Sequence, residues 1–175
     1  MISSYCRKTK DLFTRPSDFY GEVLRQPDFK DAARFSAMTG VFVALGLALR
    51  ELLLNGSPSL VALVTALLLL LMPAVMLAGV YAWTGFMRLC AGLLDESLPD
   101  LPLRLVVAYS VAGFLTLGLG FTLGKWLSLV FLIFQVLGVE RMLKCSRWTA
   151  VVFVMLPFSI VGVVILLFTL MFKVF

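Results

Sequence analysis

Residues 103–126, LRLVVAYSVAGFLTLGLGFTLGKW, are almost wholly apolar, yet a Tyr109-Ser110 pair interrupts their first half and Gly118, Gly120 and Gly124 punctuate their second. Read as a helix from Leu103 to Phe121, the stretch at about 1.5 Å per residue nearly matches the roughly 30 Å hydrocarbon core of a bilayer. On that helix Leu105, Tyr109, Ala112 and Thr116 share one face, and Ser110 and Gly113 fall three apart on the neighbouring stripe. A hydroxyl in hydrocarbon needs a partner, either its own backbone or a facing helix. Small residues at Ser110, Ala112 and Gly113 let a facing helix approach closely. The stripe therefore reads as a packing centre or as the polar lining of a headgroup or ligand cavity. The later glycines stand just ahead of Lys125-Trp126 and predict a tight hairpin at the outer face. They are no dinucleotide fingerprint, because no strand precedes them.

The rest of the chain repeats the pattern. Of 175 residues, 61% are hydrophobic and 14% charged, against roughly 45–50% and about 25% in soluble domains. The fold class is all-α, a polytopic integral membrane bundle of five transmembrane helices with an N-terminal interfacial amphipathic segment. The expected spans are about 35–54, 59–90, 103–121, 125–140 and 148–172, so residues 34–175 form the membrane domain and residues 1–33 a cytoplasmic segment. Asp28 reads as an N-cap and Asn55-Gly56-Ser57-Pro58 as a stop. The run from Ser59 to Leu94 is too long for one simple crossing and too short for two. One helix is expected, bent near Pro73, with Trp83, Phe86 and Arg88 emerging into the interface. The opening MISSYCRKTKDLFTRPSDFYGEVL is polar, and no cleavable signal peptide is expected.

Orientation follows from the basic residues. With five crossings and the N-terminus inside, Arg7, Lys8, Lys10, Arg15, Arg25, Lys30, Arg34, Arg88, Arg104, Arg141, Lys144 and Arg147 are cytoplasmic. Arg50, Lys125 and Lys173 alone lie outside. That distribution obeys the positive-inside rule and predicts a multi-pass membrane protein with a cytoplasmic N-terminus and an external C-terminus. Within residues 1–33, Leu12, Phe13, Phe19, Tyr20, Val23 and Leu24 interleave with Arg15, Asp18, Glu22 and Arg25. An interfacial amphipathic helix is expected to begin after Thr14-Arg15-Pro16-Ser17. The basic cytoplasmic surface, Arg7, Lys8, Lys10, Arg15, Arg141, Lys144 and Arg147, can rest on anionic headgroups, fix topology or dock a partner. The net charge of +5 needs no nucleic acid.

A search for chemistry returns little. Cys6, Cys90 and Cys145 all fall at the cytoplasmic face, where thiols stay reduced, and no Cys-x-x-Cys spacing or histidine occurs. No metal site, cofactor or catalytic residue is assigned, and histidine-based triads are impossible. No Asp, Glu or Lys lies deep in an expected span, which argues against ion-coupled transport. Gln135, near the middle of the fourth span, is the deepest strongly polar side chain besides the hydroxyls. It reads first as an interhelical hydrogen-bonding group.

RLVVAYS at the start of a third span resembles the family of Ypt-interacting proteins, the Yip domain, whose five-span members carry a related stretch there. TRPSDFYGEVLRQPDFKDAARF is similar to the proline-plus-aromatic segment ahead of the first span in bacterial members. LIFQVLGVERMLKCSRWTAVVFVMLP resembles their fourth span, short basic loop and fifth span. The proline that often follows the Tyr-Ser pair is replaced by Val111-Ala112-Gly113, and the glycine-rich lead-in by LLDESLPDLP. The Asp-Leu-Tyr-Gly-Pro type motif of eukaryotic relatives does not occur, so their binding of Rab-type GTPases is not carried over.

The functional expectation is a non-enzymatic membrane scaffold or accessory subunit, acting through helix packing as a homo-oligomer or within a larger complex. The alternative is a lipid-handling carrier or scramblase in which Tyr109, Ser110, Thr116 and Gln135 line a polar groove. Membrane lipids, including anionic headgroups, are the other expected partners.

Overall fold

A computed structural model describes residues 2–55, 58–94, 96–119 and 129–174, and every element among them is helical. The chain breaks where its prolines and caps dictate. Helix α1, Ile2–Thr14, stops ahead of Pro16, which occupies the first turn of α2, Pro16–Arg25. Proline lacks the amide the first turn does not need, and it disfavours helical backbone in the residue before it. Arg15 accordingly adopts φ −143°. After Pro27, Asp28 caps α3, Phe29–Asn55, its Oδ1 accepting from Lys30 N at 2.9 Å and Asp31 N at 3.2 Å.

Helix α4 then runs unbroken from Pro58 to Gly92, through Pro73, about 52 Å at 1.5 Å per residue. The single helix expected for this run is what forms. Helix α5, Asp100–Ser110, leads into a 3-10 helix, Val111–Leu119. The change coincides with Ser110, whose Oγ donates to the Val106 carbonyl at 2.7 Å, a bond that competes with the helix's own ladder and commonly bends it. Helix α6, Val130–Leu143, ends at Lys144, which takes the left-handed conformation, φ 50°. Ser146 then caps α7, Arg147–Val174, accepting from Thr149 N at 3.2 Å. The expected outer hairpin at Lys125-Trp126 and the start of the fourth span at 125 lie outside the described residues.

Among the described residues, three helices are long and apolar enough to cross a membrane. They are Phe29–Arg50, Ala62–Gly92 and Arg147–Leu166, with mean hydropathies of 1.6, 2.5 and 2.6. The chain is thus an all-helical protein of membrane type. Short links join the end of α4 to the start of α5 and the end of α6 to the start of α7. Phe29 at the start of α3 packs on Tyr81 of α4, and Pro99 and Pro102 share a hollow with Glu140 and Cys145, so these ends gather at one end of the bundle. Most of the buried core sits toward that end, joining Leu103, Leu105, Val106 and Val107 of α5 to Val80 and Met87 of α4 and Val139 of α6. Tyr5, Leu12, Phe19 and Tyr20 belong to the same core. The N-terminal residues therefore pack on the bundle, and the apolar face of α2 is covered by protein. Helix α1 is an element the sequence reading did not anticipate.

Helices α3 and α4 approach closely at Gly40, where an added Cβ would come within 2.9 Å of Met72 and Pro73 backbone atoms. Farther from the core, the outer surfaces are apolar, with Leu63, Leu67, Leu70 and Val75 of α4 and Val163 to Leu166 of α7 exposed. Such a band is what hydrocarbon, rather than water, accommodates.

Candidate functional site

The Tyr109-Ser110 pair lies at the centre of a polar cluster within the core. Tyr109 Oη donates to Asp31 Oδ2 at 2.6 Å, and Lys8 Nζ pairs with the same oxygen. A carboxylate in the first turn of α3 thus joins α1 to α5. One residue on, Ser110 Oγ lies 2.9 Å from Tyr20 Oη, and Ser36 of α3 donates to the Ala108 carbonyl at 2.8 Å. Tyr5 Oη meets Thr39 Oγ1 at 3.2 Å. Burial pushes the Tyr5 and Tyr20 phenols above their ordinary values, so both stay neutral. Aromatic rings close the cluster, with Phe19 edge-on to Tyr109 and Phe35 tilted against it, both at 5.0 Å.

Gly113, in the 3-10 helix, lies close against the backbone of α6. A Cβ there would lie 2.3 Å from Phe131 N and 2.6 Å from Phe131 Cα. Gly138 of α6 plays the reciprocal part, its missing Cβ making room for Val106 and Tyr20. Thr116 has its backbone in the same 3-10 helix, and its side chain lies outside the description.

Gln135 is fully buried on α6, and Trp83 Nε1 of α4 donates to its Oε1 at 3.1 Å. That bond fixes the amide's orientation, and neither Gln135 Nε2 nor Thr84 Oγ1 has a partner among the described residues. Tyr109, Ser110 and Gln135 are 2%, 0% and 0% exposed. Their polar atoms meet other helices, Tyr109 reaching Asp31 of α3, Ser110 reaching Tyr20 of α2 and Gln135 accepting from Trp83 of α4.

The basic residues divide into two kinds. Lys8 pairs with Asp31, Arg15 with Asp11 at 3.8 Å, and Arg147 with Glu140 at 3.0 Å. Arg88 and Arg104 share Asp100 at 2.9 and 2.6 Å, and the Arg104 guanidinium lies 5.0 Å from the Tyr81 ring centre. Arg7 and Lys10 are exposed on α1. Arg141 and Lys144 line a hollow of about 770 Å³, together with Arg25. None of these last three cations has an ion pair or side-chain hydrogen bond among the described residues.

Asp31, Tyr20, Ser36 and Arg25 were missed as site residues by sequence reasoning. Tyr20 carried a visible signal in its amphipathic segment. Asp31 carried none, because its partners come from residues 8 and 109. No group of three or more Asp, Glu or Cys side chains suited to a metal occurs among the described residues. Comparisons with protein-family models, curated proteins and solved structures return no match.

Proposed function

We propose that this chain is a five-crossing protein of the bacterial cytoplasmic membrane, N-terminus inside, that acts without catalysis as a scaffold or accessory subunit. The observation that carries this reading is the outward face of α4. Val80, Thr84, Met87 and Ala91 form its buried stripe, and Ala74, Ala78, Ala82, Gly85 and Gly92 lie exposed on the opposite side. Cβ atoms added at Gly79, Gly85 or Gly92 would meet nothing within 4 Å. Between membrane helices no water is released, so association depends on close backbone approach, and small residues at i, i+4 and i+8 allow it. The occupant of this face is a second copy or another membrane helix.

Five crossings are supported by the basic-residue bias and the Yip-domain resemblance, and the crossing through α5 also by its dimensions. At 1.5 Å per α-helical residue and 2.0 Å per 3-10 residue, α5 and the 3-10 helix extend about 35 Å. Reporter fusions at Phe175 and in the Asn55 loop should both report outside, and a cytoplasmic signal at Phe175 removes the five-span topology. Association is tested by combining Ala78→Leu, Ala82→Leu and Gly85→Leu. Light scattering in mild detergent should register a fall in oligomer mass with helicity unchanged. An unchanged mass removes α4 as the contact face. The lipid-handling alternative keeps one observation in its favour, the unpartnered Gln135 Nε2 in the apolar interior. Lipid movement by the purified protein in liposomes, lost in Gln135→Leu, would establish that alternative.

A further inference from the structure

The hollow lined by Arg25, Arg141 and Lys144 has a composition that helix packing does not require. It opens between the end of α2, the start of α5 and the turn joining α6 to α7. Leu24, Pro99, Pro102 and Met142 contribute apolar wall. One carboxylate, Glu140, also borders it, and Arg147 Nε holds that carboxylate at 3.0 Å. Among the described residues, the three cations have no ion pair and face a space whose one lining anion is already neutralised.

Each cation stands at a helix C-terminus, where backbone carbonyls favour positive charge. That effect accounts for a basic residue at each end. It does not bring the ends of two helices more than a hundred residues apart to the same hollow. Lys144 adds a second indication. It is the one residue other than glycine with positive φ among the described residues, at a helix-ending position that glycine fills with less strain. Lysine there keeps a charged side chain on the rim that glycine would delete.

We infer that this hollow binds a phosphate ester, its anionic oxygens held by Arg25, Arg141 and Lys144 and its uncharged part against the apolar wall. Arginine offers forked donors matched to phosphate oxygens, and lysine adds a compact charge. At about 770 Å³ the space is of ligand-pocket size, roomy for a headgroup with its glycerol. The phosphate could be carried by an anionic phospholipid of the adjoining leaflet or by a soluble phosphate ester. The inference is independent of the association proposed for α4, whose outward face lies on another helix.

The experiment uses the full chain in neutral detergent and native mass spectrometry. The probes are dioctanoyl phosphatidylglycerol, dioctanoyl phosphatidylcholine and glycerol 3-phosphate. Phosphatidylglycerol should be retained at least tenfold more strongly than phosphatidylcholine. The Arg141→Gln/Lys144→Gln pair, and Arg25→Gln separately, should remove that preference, whereas Arg141→Lys keeps most of it. Lys30→Gln/Arg50→Gln removes the same number of charges as the first pair, away from the hollow, and should leave the preference intact. Circular dichroism verifies that each variant is folded, and Arg25, on a different helix from the pair, guards against a local folding defect. Competition by millimolar glycerol 3-phosphate assigns the site to soluble esters, and failure to compete assigns it to lipid. Equal retention of the two lipids with no binding of glycerol 3-phosphate, or equal loss in both double variants, overturns the inference.

Discussion

Helix α4 and the segment from α5 through the 3-10 helix are both apolar runs dotted with small residues, and the bundle treats them in opposite ways. In the second, every residue from Leu105 to Gly113 is buried, and Gly113 is occupied by the backbone of Phe131. In α4 only 11% of the most apolar stretch is buried, against 44% for α3, and Gly85 faces open space. Composition does not separate the two. What does is the Tyr109-Ser110 pair, whose hydroxyls must find partners where water is scarce and which are met by Asp31 and Tyr20. Polar groups draw one run inward, whereas α4, with interhelical side-chain bonds from Trp83 and Arg88 near its end, leaves its most apolar stretch largely exposed to lipid or another protein.

The sharpest way to break this contrast is to place the same side chain in both runs. Gly113→Leu should destabilise the monomer by about 3 kcal/mol, because its Cβ would collide with backbone that has nowhere to retreat. Gly85→Leu should leave the unfolding midpoint in detergent within experimental scatter and act only on association. Equal midpoints for the two would place Gly113 on an open face. A smaller effect is expected at the polar anchor. Asp31→Ala strips both Tyr109 and Lys8 of their acceptor and should cost about 2 kcal/mol, moderated because Asp31 keeps 37% of its side chain exposed. Thermal unfolding of Asp31→Ala against Tyr109→Phe separates the tyrosine's share from the lysine's.

Tyr20→Phe removes a single hydroxyl while Ser110 keeps its bond to the Val106 carbonyl. A loss of about 1 kcal/mol is expected, measurable as a lowered midpoint with α2 still docked. The smallest effect has the opposite sign. Thr84, the one buried polar residue on the inner stripe of α4, has a hydroxyl with no partner. Thr84→Val should be neutral or stabilising by about 0.5 kcal/mol in the same assay. A clear loss there would reveal that the Thr84 hydroxyl anchors α4 alongside the Trp83–Gln135 bond.

Much of the architecture could be read from residues alone. Pro16 and Asp28 marked the starts of α2 and α3, and the apolar length of 59–94 pointed to the one helix that forms. These signals are local, since a cap or a proline acts on its neighbours whatever the tertiary fold. Gly113 was legible as a place of close approach because the absence of a side chain is itself visible in sequence. The docking of α1 was not. Its partners are Asp31, Thr39 and Phe134, and Phe13 meets Phe134 edge-on at 4.9 Å across 121 positions. No periodicity within ISSYCRKTKDLFT encodes such pairings. The convergence of Arg25 with Arg141 and Lys144 was hidden for the same reason.

The bond between Tyr20 and Ser110 spans 90 residues, which has a consequence for how the protein is made. Helix α2 leaves the ribosome first, and the serine it will bind follows on the order of 5 to 20 s later at ordinary translation rates. During that interval Phe19 and Tyr20 have no α5 or α6 to cover them, and the nearest apolar phase is the surface of the bilayer into which α3 is being inserted. The amphipathic pattern of residues 16–25 thus suits a resting place at the membrane for the nascent chain before it becomes the face that closes the finished bundle.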